Sequence, residues 1–124
     1  MPLEVIMAEV IDSILDSVKK MIGCEDQDDF DTDLIFHINT VFMLLNQAGV
    51  GPSSVYQING SDETWSDFAD NIEDIGMVKT YVFMKVRKIF DPPTSGTAME
   101  SLNELIKEFE FRLNIAEDDS WYYE

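Results

Sequence analysis

Residues 74–93, DIGMVKTYVFMKVRKIFDPP, decide the fold class. Ile75, Val78, Val82, Val86 and Ile89 recur every three or four residues and make one helical face. Met77, Tyr81 and Met84 make a second. The run ends at Asp91-Pro92-Pro93, because a residue before proline resists helical geometry. The spacing predicts a helix over about Asp74–Phe90 with apolar surface on two sides. Such a helix sits centrally in a bundle or meets another subunit.

Working outward, a last helix is predicted over 97–113, with Thr94, Ser95 and Thr97 as available caps. Its stripe is Leu102, Leu105, Ile106, Phe109 and Leu113. Upstream, Asp31 or Thr32 can cap a helix over 31–48 that carries Leu34, Ile35, Ile38, Val41, Phe42 and Leu45. Phe36, Met43 and Leu44 lie off that stripe, so this helix too is apolar on two sides. The first helix is predicted over 3–22, with Val10, Ile11, Ile14, Leu15, Val18, Met21 and Ile22 as one stripe and Gly23 as its stop. Between the helices over 31–48 and 74–90, Val55-Tyr56-Gln57-Ile58 reads as a short strand before an Asn59-Gly60 turn. Thr64-Trp65-Ser66-Asp67 reads as a capping box opening a short helix. The expectation is a mostly α protein: a small bundle of four main helices, a short helix and a possible short β segment. One helical domain, 1–113, is followed by an acidic and aromatic tail, 114–124.

Charge narrows function. The chain has 124 residues, with 25 acids against eight Lys and Arg, net −17. Eight Phe, four Tyr and two Trp are too many for a disordered acidic tail, so the charge coats a folded object. Such a surface repels phosphate, which disfavours specific nucleic-acid binding and docking on anionic lipid. No apolar run approaches the roughly 20 residues of a membrane span. The acidic N-terminal stretch argues against a secretory signal, and the lone Cys24 fits a reducing compartment.

The chemical motifs are weak. Asp29-x-Asp31-x-Asp33 resembles the start of a calcium loop, but Leu34 stands where glycine is needed and Thr40 where the bidentate glutamate belongs. These acids suit a helix N-terminus instead. His37 is the single histidine and reads as a packing residue. Cys24 reads as a small loop residue whose pKa Glu25 and Asp26 would raise. Carboxylates are too numerous for one pair to stand out, and no glycine-rich phosphate loop is present. No enzyme, metal or cofactor is expected. Trp121, Tyr122 and Tyr123 form a candidate docking segment, since such rings reward burial, either on a neighbour or back on their own domain.

Several segments carry a resemblance: Ile14-Leu15-Asp16-Ser17-Val18-Lys19-Lys20-Met21-Ile22-Gly23, the acidic loop, and Asn46-Gln47-Ala48-Gly49-Val50-Gly51 closing a helix. Thr64-Trp65-Ser66-Asp67-Phe68, Val78 to Arg87, Phe90-Asp91-Pro92-Pro93-Thr94-Ser95 and Glu108-Phe109-Glu110-Phe111-Arg112-Leu113-Asn114 complete it. Together, over about Ile14 to Ile115, the chain resembles the small helical head–tail connector (adaptor) proteins of siphophages. The resemblance implies a helical bundle in the virion, made in the bacterial host cytoplasm, without enzymatic activity or cofactor. It implies a ring, commonly dodecameric, below the portal protein, which extends the DNA channel and receives a head-completion or tail protein. Phe36, Met43, Leu44, Met77, Tyr81 and Met84 are then candidate subunit contacts. Lys79, Lys85, Arg87 and Lys88 are candidates for pairing with a neighbour's acids. The alternative from another class is an acidic binding module that mimics DNA toward a basic partner.

Overall fold

Ser13 sets where the first described helix begins. In the computed structural model, which describes residues 12–68 and 75–113, its backbone is extended and its Oγ accepts from Asp16 N. Ser13 also forms an isolated antiparallel bridge with Thr64, in which Ile14 N donates to Glu63 O and Trp65 N to Asp12 O. These bonds hold residues 12 and 13 out of a helix, so no unbroken helix runs over 3–22; residues 3–11 of that expectation lie outside the described residues. Among the described residues the helices are α1 Ile14–Ile22, α2 Asp31–Gln47, α3 Trp65–Phe68, α4 Ile75–Phe90 and α5 Gly96–Arg112. The fold is a small, mostly helical bundle, as the apolar periodicity requires. No described helix is long and apolar enough to cross a membrane.

α4 is the hub. It packs against α2, α5 and α1, while α1 also touches α2. Val78, Val82 and Val86, one turn apart, are fully buried. Tyr81 is fully buried too, and its hydroxyl donates to Glu110 of α5 at 2.9 Å. The second apolar side of α4 is therefore covered by the chain's own α5. Ile89 and Leu105, expected on inward stripes, are instead 52% and 51% exposed.

Where α1, α2, α3 and α4 converge, aromatic rings fill the core. Phe42 stacks on Phe68 with centroids 4.9 Å apart and meets Tyr56 and Trp65 edge-on. Trp65 contacts Phe83 and donates from Nε1 to Ser17 Oγ at 2.9 Å. Gly51, at φ +94°, lets the chain pass Phe68; a Cβ there would lie 2.5 Å from its ring. The capping box at α3 forms as expected: Asp67 N donates to Thr64 Oγ1 at 3.0 Å and Thr64 N to Asp67 Oδ2 at 3.3 Å.

Val55–Ile58 does not become a strand, although its burial alternates as a strand's would. Val55 and Gln57 are exposed, Tyr56 is half-buried and Ile58 is fully buried. The missing strand partner is replaced by the amide of Asn39, which donates to Ile58 O at 3.0 Å and accepts from Ile58 N at 2.8 Å. α2 also begins differently from expectation. Its N-cap is Phe30, with no side-chain cap bond, and the Asp31 carboxylate turns to Lys19.

Candidate assembly surface

The α2 surface follows from a gap in the charge pattern. Residues 34–47 contain no Asp, Glu, Lys or Arg, in a chain where 27% of residues are charged. Phe36 and Met43 are seven residues apart, two turns along one side, and stand 67% and 44% exposed. Thr40 lies between them, and its Oγ1 donates to Phe36 O at 3.0 Å, so its hydroxyl is satisfied within the helix. Leu44 is half-buried, and His37 is half-buried with its ring edge-on to Phe36. The result is an exposed apolar strip.

A second apolar feature was not legible in advance. Met21 and Ile22 of α1, Thr80, Phe83, Met84 and Arg87 of α4, and Leu102 of α5 line a groove of about 220 Å³. Met21, expected inside the bundle, is 62% exposed at its edge. The Thr80 hydroxyl is already bonded to Gly76 O at 2.9 Å. Among the described residues of the lining, Arg87 is the only charged one.

The structure divides the sequence-derived interface candidates. Tyr81 and Met84 are drawn into the core, Met84 keeping one side on the groove, and Met77 is half-buried against the core. Burial and the Glu110 carboxylate push the Tyr81 hydroxyl well above the ordinary tyrosine range. Lys79 Nζ lies 5.9 Å from the Trp65 ring, a cation–π distance. Lys85 sits as far from the Tyr81 ring and 3.8 Å from Glu110. Arg87 and Lys88 are exposed and have no ion pair among the described residues. α4 thus holds four of the chain's eight bases and none of its acids. Trp121, Tyr122 and Tyr123 lie outside the described residues.

Lys19 is 5% exposed. Its Nζ is 2.9 Å from both Asp28 and Asp31, and those carboxylates hold its pKa above the ordinary lysine value against the opposing effect of burial. This clasp folds the acidic loop back onto α1. Its signal was present: Leu15, Val18, Lys19 and Ile22 share helical spacing, which puts a charge on the apolar stripe. Cys24 is buried, which pushes its thiol pKa up; Asp31 and Asp91 add to the rise and Lys19 opposes it. The direction matches expectation, but burial leads, not Glu25 and Asp26.

The described surface thus carries two apolar features, the α2 strip and the groove between α1, α4 and α5. No curated protein and no solved structure matches the chain. A family model described as phage connector protein matches residues 14–120, a family of structural virion components that join head to tail. Spanning most of its length, that match shows that the chain belongs to the phage connector protein family.

Proposed function

We propose that the chain is a head–tail adaptor subunit that assembles as a ring below the portal, extends the DNA channel and receives a head-completion or tail protein. The observation that carries this reading is the uncharged α2 strip with exposed Phe36 and Met43 on a chain of net −17. Large exposed apolar side chains cost hydration unless a partner covers them, and closely spaced acids oppose association unless the contact itself is apolar or pairs acid with base. A ring of such subunits presents an acidic lumen, to which passing DNA does not adhere. The aromatic tail, Trp121 to Tyr123, docks on a neighbour or on the portal in this proposal.

The test is native mass spectrometry and negative-stain imaging of the full chain, alone and with a portal. Ring formation under either condition is the expected result, and Phe36→Glu with Met43→Glu should abolish it while leaving the monomer folded. A strict monomer under both conditions contradicts the ring. A monomer that instead binds a basic DNA-binding protein tightly supports the DNA-mimic reading, which the net charge favours and the uncharged strip does not.

A further inference from the structure

We infer that the α2 strip of one copy seats in the α1–α4–α5 groove of the next, with Phe36 in the groove and Asp33 facing Arg87 and Lys88. This rests on the ring reading and names the two surfaces that form its contact.

The first support is placement. α2 and α5 both pack on α4, and α5 makes no comparable contact with α2. None of the strip residues lines the groove, so the two are different patches of the surface. A patch that pairs with itself closes as a dimer, whereas two different patches joined head to tail propagate, and close as a ring when the rotation allows.

Charge supplies the second. Asp33 is exposed one turn before Phe36, while Asp31 is taken by Lys19. The groove faces it with Arg87, and Lys88 follows. Lys79 and Lys85 face the Trp65 ring and Glu110 of their own subunit, so among the described residues Arg87 and Lys88 are the α4 bases left to meet an acid. Phe111, 74% exposed on α5, is a poorer match: it stands singly, with the charged Glu104, Lys107 and Glu108 along the same side, and Glu108 is paired with Arg112.

Size and polarity agree. An apolar cavity of about 150 Å³ accepts benzene, so a groove of about 220 Å³ accepts the ring of Phe36. The Thr40 and Thr80 hydroxyls are each bonded within their own helix, so closing the contact strands neither.

Disulfide trapping tests the seating. Full-length chains carrying Thr40→Cys or Thr80→Cys, both in a Cys24→Ala background, are kept reduced and then oxidised each alone and as a mixture. The mixture should cross-link about tenfold faster than either variant alone, and faster than a Ser54→Cys control on an exposed loop. Equal trapping of Thr40→Cys with itself would mean a self-paired α2 contact, and a mixture no faster than the control would mean that the surfaces do not meet; either overturns the inference. Arg87→Asp should weaken ring assembly about tenfold, and adding Asp33→Arg should restore it. Failure of the swap to restore assembly counts against the pairing. If wild-type rings form on the portal while trapping fails, the seating is wrong and the ring stands. If no ring forms under any condition, both readings fall together.

Discussion

The irregular segment around Ile58 is better fixed than the 17-residue helix α5. Ile58 is fully buried, both of its backbone polar groups are bonded to Asn39, and Glu63 accepts from Asn59 N and Gly60 N. α5 has regular bonds along its length yet buries only Ile106 among its own residues, and it packs chiefly on α4. The difference teaches that regular secondary structure and anchoring are separate properties. A helix satisfies its own backbone and can lie lightly on its neighbour. A loop that enters the core must have its polar groups met by side chains, so once formed it is tightly bound to them.

The comparison breaks first if Trp65→Ala is tolerated. Removing that ring empties the junction of α1, α2, α3 and α4, and a loss of about 4 kcal/mol in denaturant unfolding is expected. Asn39→Leu should cost about 2–3 kcal/mol, because it strands both backbone groups of Ile58. A loss under about 0.5 kcal/mol would show that water replaces the amide there. Ile106→Ala should cost about 2 kcal/mol, and its mark should be local. Amide exchange in α5 should accelerate while the Ile58 amide keeps its protection; equal acceleration of both would show that the two regions open together.

Tyr81→Phe sharpens the contrast at its weakest point, the single hydroxyl that ties α4 to Glu110. At neutral pH the loss should be about 1 kcal/mol. The folded pKa of Tyr81 is raised above that of the unfolded chain, so its contribution is fully present below about pH 10 and is lost as pH climbs beyond it. Wild-type melting temperature should therefore fall more steeply than that of Tyr81→Phe in this alkaline range. Parallel curves would mean that Tyr81 ionises as it does in the unfolded chain.

The helices were legible because each carries an apolar stripe and a chemical stop. Pro92-Pro93 follows α4, Gly23 takes a left-handed φ of 92° after α1, and the Thr64–Asp67 box opens α3. Val55–Ile58 misled because period-two burial is shared by strands and by an extended segment held by one side-chain amide. Tyr81 and Met84 misled for a related reason. Periodicity shows that two sides of α4 are apolar, but not that α5 folds back over one of them. The α2 strip was legible in Phe36 and Met43, which lie off the inward stripe and which no described residue covers. The groove was not, because it exists only where three helices leave space between Met21, Phe83 and Leu102.

Lys19 gives the molecule a built-in footprinting reporter. Amine-directed acylating reagents need a nitrogen that is both deprotonated and reachable, and under its two carboxylates Lys19 is neither. Lys20, the next residue, is exposed. A peptide labelled at Lys20 and native at Lys19 would therefore report a closed clasp within an intact particle. Label on both would report that the acidic loop had let go.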